Sequence, residues 1–417
     1  MQRVRRGGGG EDVKGKEGGG GVRRKSGEKR VPLSPYFPLL PPTSPYLPLL
    51  LTMELLRSVL SLPTAPFHEH HVTAFVRQFA RERGLSVTTD EFGNLIVRYR
   101  RGSKVKPVAL VAHMDHPGFE VAAVKGSAVT LLALGDTRGE QAVGMHVRFF
   151  SDADPAPRGV GVIQAVKDSD PQSGRNRQVI ASVHSPVAVG DFAMWDLAPF
   201  RYHSDYVYSR AIDDLAGCAA LLSTLDALTR SRADADVYGV FTRAEEVGFV
   251  GATGLTQVEG VPKDVPIISI EMSKALPGAE QRKGVVVRLG DRAGLFEPTL
   301  TDFLLKIARE MSAHDSAFKF QARLMDGGTC EATAFNVAGY AASGVCLPLG
   351  NYHNQGAQGI APEFIHADDY RMLVRFLMTL AENMHKFDRA AAHIKSRVLE
   401  HFRCHRDKLL ATGTRRR

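Results

Sequence analysis

Cysteine is scarce in this chain of 417 residues, which has four: Cys218, Cys330, Cys346 and Cys404. They are widely spaced and form no CxxC pair, which argues against a disulfide framework and against a cysteine-based zinc site. Reduced thiols of this kind are typical of an enzyme in a reducing compartment. We therefore expect a cytoplasmic protein.

The sequence also lacks an apolar run long enough to cross a membrane. Its most apolar stretch, residues 47–62, is interrupted by Pro48, Glu54 and Arg57. A membrane-spanning helix needs about 20 consecutive apolar residues. No clear small-residue cleavage site follows the basic N-terminus, as it would in a secretory signal peptide. We expect no membrane partner.

Most of the chain has little excess of positive charge. The formal net charge is +8, but residues 1–52 carry ten Lys and Arg against four Asp and Glu, so that only +2 remains for the other residues. A nucleic-acid-binding domain normally shows a basic footprint. We therefore expect no nucleic-acid partner.

The two ends of the chain differ in composition from the part between them. Residues 1–30 contain ten glycines and residues 31–52 contain seven prolines, which predicts a disordered, basic extension that becomes polyproline-like before Thr52. Met53 then opens an amphipathic helix and is a candidate for the natural first residue. Residues 391–417 read as a basic C-terminal tail.

Between these ends, strand-like and helix-like segments alternate, which is typical of an α/β domain. This pattern covers residues 53–118 and 206–390. Residues 119–205 instead contain short β-like runs separated by Gly, Asp and Ser. We predict a mixed, mostly parallel sheet flanked by helices, with a small all-β domain inserted at 119–205.

Acidic and histidine side chains follow several of the apolar strands. Each of them alone has an ordinary explanation, such as a surface acid, a hydrogen-bonded structural histidine or a helix N-cap. Together they can converge, because the carboxyl ends of parallel strands share one edge of a sheet. Carboxylates with imidazoles suit a pair of divalent ions, zinc first and cobalt or manganese as alternatives. The residues concerned are His113, Asp115, Asp213, Asp214, Glu245, Glu246, Glu271 and His353.

Five segments, "AHMDHPGF", "SRAIDDLAG", "AEEVGFVGA", "ISIEMS" and "LGNYHN", resemble in order and spacing the metal-site motifs of the co-catalytic di-zinc aminopeptidases. The similarity is strongest to the glutamyl, deblocking and tetrahedral types and extends from about Met53 to Asp388. It implies the zinc-peptidase fold and two divalent ions in each subunit. It also implies hydrolysis of N-terminal residues by a metal-activated water molecule.

The resemblance further assigns a ligand to each motif. Asp213 would bridge both ions. One site would add Glu246 and His353, and the other would add His113 and Glu271.

The remaining roles implied by the family concern proton transfer and orientation. Glu245 matches the general base, and Asp115 matches the acid that orients the ligand histidine. The peptide bond between Asp213 and Asp214 is expected to be cis.

Two departures from the family pattern affect these assignments. Glu271 stands where an aspartate is usual, and Cys330 replaces an aspartate in the loop "GGTCEATAF". We expect Glu331, the next residue, to pair with the α-amine of the substrate.

Three functions therefore compete. The first is an aminopeptidase acting on short peptides. The second is a related di-metal amidohydrolase, either a carboxypeptidase or an N-acyl-amino-acid deacylase, which would grip a different end of its substrate. The third is a binding protein with a basic tail, built on an enzyme fold that has lost its catalytic activity. Because the inserted module of related peptidases helps to build oligomers, we also expect a homo-oligomer.

Overall fold

A computed structural model of the protein describes residues 47–137, 140–169, 172 and 176–413. Residues 1–46, most of the predicted extension, lie outside these ranges. The first helix begins at Leu47, so the prediction of extended chain as far as Thr52 is wrong for its last six residues. Pro48 is compatible with this start, because a helix does not use the N–H groups of its first turn.

Helices and strands alternate along the described part of the chain. The helices are α1 (Leu47–Leu60), α2 (His70–Glu82), α3 (Leu215–Ser231), α4 (Val250–Gln257), α5 (Pro298–His314), α6 (Glu331–Val337), α7 (Ala367–Asn383) and α8 (Phe387–Gly413). The strands are β1 (Ser86–Thr89), β2 (Leu95–Arg101), β3 (Pro107–His113), β4 (Gly118–Lys125), β5 (Ala128–Leu134), β6 (His146–Phe150), β7 (Gly159–Ser169), β8 (Asn176–Val183), β9 (Phe192–Trp195), β10 (Arg201–His203), β11 (Tyr206–Ser209), β12 (Ala235–Thr242), β13 (Ile267–Lys274), β14 (Val285–Asp291), β15 (Gly294–Leu295), β16 (Phe320–Met325), β17 (Ala342–Leu349), β18 (Gln355–Gly356), β19 (Gly359–Ile360) and β20 (Glu363–His366).

The large sheet has the strand order β1-β2-β12-β3-β13-β17-β14-β15, with β16 also paired to β14. Its four central strands, β12, β3, β13 and β17, are mutually parallel, and the antiparallel pairings lie towards the sides. The central strands are almost wholly buried, as expected where helices cover both faces of a sheet. Their carboxyl ends therefore share one edge.

Helix packing explains why these segments are helical. The helix α3 is buried along nearly its whole length and packs between α1 and α7. Leu56, Leu221 and Leu377, one from each of these helices, are fully buried in the same core. The helix α8 packs against α5 near its start but leaves Val398 and Phe402 exposed further along. No helix of the described residues is long and apolar enough to span a bilayer.

The β module closes into a barrel in the order β4-β5-β8-β7-β6-β9. Alternate residues point inwards, and Phe119 meets Trp195 edge to face with ring centroids 5.1 Å apart. The prediction of a mixed α/β fold with a small inserted all-β domain is thereby confirmed. The barrel strands end at Trp195, whereas β10 and β11 pair with β20 in a separate three-stranded sheet.

The segment before α2 contacts the barrel module through His68. The Nδ1 atom of His68 lies 3.1 Å from an oxygen of Asp152, and its Nε2 atom lies 3.3 Å from an oxygen of Glu120. The segment between α1 and α2 is thus attached to both parts of the fold.

Candidate metal centre and active site

The predicted site residues meet at the carboxyl edge of the central strands. His113 is the last residue of β3, and Glu245 and Glu246 lie in the turn after β12. Glu271 lies within β13, two positions after Ser269, which pairs with β3. The other two ligand candidates are Asp213, just before α3, and His353, in the turn after β17.

Asp213 occupies the centre of the cluster. One of its carboxylate oxygens lies 3.5 Å from Nε2 of His113, and the other lies 3.6 Å from Nε2 of His353. The peptide bond between Asp213 and Asp214 is cis, as the resemblance implied. A carboxylate whose two oxygens face two different imidazoles can bridge two ions.

The remaining carboxylates surround the same two imidazoles. Donor atoms of His113, Glu245 and Glu271 lie within 4.8 Å of one another, and so do those of His113, Asp213 and Glu246. An oxygen of Glu246 is also 3.4 Å from Nε2 of His353. Ligands bound about 2.1 Å from a tetrahedral zinc are separated by about 3.4 Å. The observed separations suit donors arranged around ions.

Several buried atoms of this cluster that could bind a metal have no hydrogen-bond partner among the described residues. They are one oxygen each of Asp213, Asp214, Glu246 and Glu271, and Nδ1 of His353. A buried carboxylate oxygen without a donor is costly, and most such atoms in folded proteins are satisfied. Divalent cations would satisfy the oxygens, so the residues present fit a pair of metal ions.

Burial and neighbouring charges shift the pKa values of several side chains in the cluster. Burial raises the pKa of Glu245 well above its usual range, and the nearby carboxylates of Glu271 and Glu246 raise it further. Burial also raises the pKa of Glu271 to about 8. Burial lowers the pKa of His113, but the carboxylates around it, Glu245 first, outweigh burial and hold that pKa well above its ordinary value. Metal-free protein therefore retains protons that metal binding would displace.

Asp115 links the first motif to the third. Its two carboxylate oxygens accept the backbone N–H groups of Glu245 at 3.0 Å and of Glu246 at 3.1 Å. The same side chain lies 3.5 Å from Nδ1 of His113. Asp115 is fully buried, and its contacts connect His113 to the backbone of both glutamates.

The role predicted for Glu331, pairing with the α-amine of the substrate, stays a prediction. This residue is the first of α6, and its exposed fraction is 0%. Burial raises the pKa of its carboxyl to about 7. A small cleft beside Glu271 is lined by Lys274, Arg288 and Tyr352, among others.

Two residues near the site were not predicted from the sequence. Glu363, at the start of β20, is fully buried and accepts N–H groups from both Asp213 (3.1 Å) and His353 (2.8 Å). Asp136, in the turn after β5, approaches Nδ1 of His353 to 3.9 Å. A charged residue opening an apolar strand was the available signal for Glu363. Nothing in the local sequence indicated which segment it contacts.

Comparisons with known proteins agree with this geometry. Residues 93–376 match the M42 glutamyl aminopeptidase family. A protein from Acetivibrio thermocellus, provisionally described as an aminopeptidase, is 21% identical, and the match covers 72% of this chain and 91% of that protein. The aminopeptidase APDkam598 from Desulfurococcus kamchatkensis superposes with a TM-score of 0.67 at 21% identity, covering 80% of this chain and 95% of that chain.

The TET1 peptidase of Pyrococcus horikoshii, which can assemble into a tetrahedron or a large octahedral shell, superposes with a TM-score of 0.66. Its sequence identity is 21%, and the match covers 79% of this chain and 99% of that chain. These structures support the fold, and the family match covers more than half of the chain. The protein therefore belongs to the M42 glutamyl aminopeptidase family of metal-dependent peptide hydrolases.

Proposed function

We propose that the protein is an aminopeptidase that removes N-terminal residues from short peptides with the help of two divalent ions. The observation that carries this proposal is the position of Asp213, whose two carboxylate oxygens face His113 and His353 separately. Family membership supports the reaction class.

Zinc is the first candidate for both ions, because the donor set combines imidazole nitrogens with carboxylate oxygens. We assign His113 and Glu271 to one ion, Glu246 and His353 to the other, and Asp213 to both. Bound ions of this type polarise the scissile carbonyl and lower the pKa of a water molecule.

Glu245 is the residue that we assign to proton transfer. Its carboxylate would accept a proton from the attacking water and deliver it to the nitrogen of the leaving amine. Glu245 is only 8% exposed, and burial of a carboxyl group favours the protonated form that must persist between these two transfers. Asp115 would hold the backbone of Glu245 in place during both.

Two cationic side chains near the proposed metal centre bear on the substrate, and they are compatible with the carboxypeptidase alternative as well. Lys274 and Arg288 line the cleft beside Glu271, and Nε of the buried Arg288 has no hydrogen-bond partner in the described part of the chain. Cations in a partly dry cleft favour an anionic substrate group. That group is an acidic N-terminal side chain in an aminopeptidase and a C-terminal carboxylate in a carboxypeptidase.

A substrate panel separates these functions. We expect hydrolysis of anilides of unblocked amino acids, inhibition by chelators and slow turnover of the N-acetylated forms. Preference for N-acylated substrates by tenfold or more, about 1.4 kcal/mol in transition-state terms, would favour the deacylase. Release of C-terminal residues alone would favour the carboxypeptidase. A protein that is inactive on every substrate of the panel and binds no metal would support the third function, a binding protein on an enzyme fold without catalytic activity.

We further propose that the protein is a cytoplasmic homo-oligomer. All four cysteines are free and three of them are buried, as expected in a reducing compartment. The structurally similar TET1 peptidase assembles into large particles. Light scattering at micromolar concentration should show a dimer or a larger particle, and a monomer alone would contradict this.

A further inference from the structure

The backbone leading into the two glutamates is held by side chains from elsewhere in the chain. The N–H group of Arg243 donates to Oδ1 of Asn94 at 3.0 Å, and that of Ala244 donates to Oε1 of Glu69 at 2.9 Å. The next two N–H groups are those that Asp115 accepts. Four consecutive N–H groups thus end on buried side-chain oxygens. Asp115 matches a family position, whereas Glu69 and Asn94 lie outside the assigned site.

Glu69 makes the larger contribution of these two residues. Its exposed fraction is 0%. Besides Ala244, its Oε1 atom accepts the N–H group of Phe67 at 2.9 Å, and its Oε2 atom accepts Nε of Arg243 at 2.7 Å. The guanidinium of Arg243 also donates to the carbonyl of Phe67 at 2.9 Å. Glu69 and Arg243 therefore tie the turn after β12 to the segment before α2.

The backbone that Glu69 holds is in an unusual conformation. Ala244 has a φ of 50°, in the left-handed region that costs a non-glycine residue free energy. Such a conformation persists only where surrounding contacts maintain it. Because Glu245 follows directly, the conformation of Ala244 sets the point from which the Glu245 side chain enters the metal centre.

We propose that Glu69 is a positioning residue that maintains the left-handed turn at Ala244 and so aims the carboxylate of Glu245. The effect on turnover rests on the function proposed above, whereas the effect on the turn does not. Glu69 has no direct role at the reacting atoms, because its oxygens are occupied by Phe67, Arg243 and Ala244.

The substitution Glu69→Gln tests this proposal with little change in volume. The carboxylate faces the N–H of Ala244 with one oxygen and Nε of Arg243 with the other, and both partners are donors. A glutamine amide can accept from only one of them and presents a donor to the other. Glu91→Gln is the matched control, since it makes the same chemical change on the exposed turn near Asn94.

Three quantities should be measured on metal-loaded, full-length protein: kcat and KM, the zinc content, and amide hydrogen exchange of a peptide that covers residues 241–249. For Glu69→Gln we expect kcat to fall by about 100-fold, the cost of roughly 1 Å of misplacement. We expect KM and zinc content to stay near those of the Glu91→Gln control, and exchange in the peptide to become faster. A purely structural role would lower stability without separating kcat from KM.

Several results would overturn the proposal. They are a kcat equal to that of the control, unchanged exchange in the 241–249 peptide, or loss of zinc in parallel with activity. If Glu69→Gln does not fold, Arg243→Lys decides the matter, because it keeps the charge and loses the fork that contacts Glu69 and Phe67. That variant should show the same pattern with a smaller loss of kcat. Inactive wild-type protein would refute the proposed function, while hydrogen exchange would still decide whether Glu69 maintains the turn.

Discussion

Replacing Glu245 by glutamine should separate catalysis from metal binding. Glutamine has the same length but cannot take up the proton that we assign to Glu245. General-base catalysis is worth about 10²–10⁴-fold in rate, so we expect kcat to fall by about that factor. This corresponds to an activation free energy that is higher by about 2.7–5.4 kcal/mol. Metal should be retained, because the ligand set that we assign does not include Glu245.

The substitution should not destabilise the metal-free protein. Burial, together with the carboxylates of Glu271 and Glu246, opposes the charged form of Glu245, and the attraction of His113 offsets this only in part. A neutral amide places no charge at this buried position. We therefore expect the melting temperature of metal-free Glu245→Gln to equal or exceed that of the wild type, in calorimetry after exhaustive chelation.

The adjacent position provides the matched control. Glu246→Gln removes the carboxylate 3.4 Å from Nε2 of His353 and should release one ion. Zinc content by elemental analysis after mild dialysis, together with kcat for an aminoacyl anilide, gives both readouts. If both variants lost metal equally, or if Glu245→Gln kept wild-type turnover, the division of roles between the two glutamates would be refuted.

Three further outcomes are expected from other parts of the molecule. Glu363→Gln should weaken zinc retention by about 10–100-fold in chelator competition, because its oxygens hold the backbone of both Asp213 and His353; unchanged affinity would mean that these contacts do not position the ligands. Zinc affinity should fall as the pH decreases below about 8, because protons on Glu271 (pKa raised to about 8) and on the imidazoles compete with the metal. Titration calorimetry in two buffers should detect the protons released when zinc binds. A zinc affinity that does not depend on pH would contradict this prediction. A chain starting at Leu47 should keep the melting temperature and turnover of the full chain, because residues 1–46 have a composition unsuited to a packed core; a marked loss in either would show that the removed segment folds or docks.

The parts of the site that could be predicted from the sequence are those whose position follows from sheet topology. His113 ends a buried strand, and Glu245 and Glu246 follow its parallel neighbour, so local patterns and the parallel rule were enough to bring them together. The start of the first helix was missed because the proline run outweighed the following leucines. Pro48 falls in the first turn, where proline is tolerated.

The supporting residues could not be predicted because their partners are distant in sequence. Glu69 lies 175 residues from Ala244, and Glu363 lies 150 residues from Asp213. Neither residue belongs to a sequence motif from which its partner could be inferred. Glu331 is adjacent to a motif loop, but the local sequence did not indicate that α6 begins at this residue and that its side chain is buried.

These supporting residues share one physical task, which explains why they are acidic and buried. Each accepts backbone N–H groups in the turns that carry the residues we assign as ligands or as the base, where the strand ladder has ended and those groups would otherwise be unsatisfied. Asp115 and Glu69 serve the turn after β12, and Glu363 serves the turns around Asp213 and His353. A carboxylate accepts two or more such groups in fixed directions, so it can hold a turn that lacks regular structure. The negative charge around the proposed metal centre therefore belongs to these supporting residues as well as to the assigned ligands, and a bound cation would stabilise both.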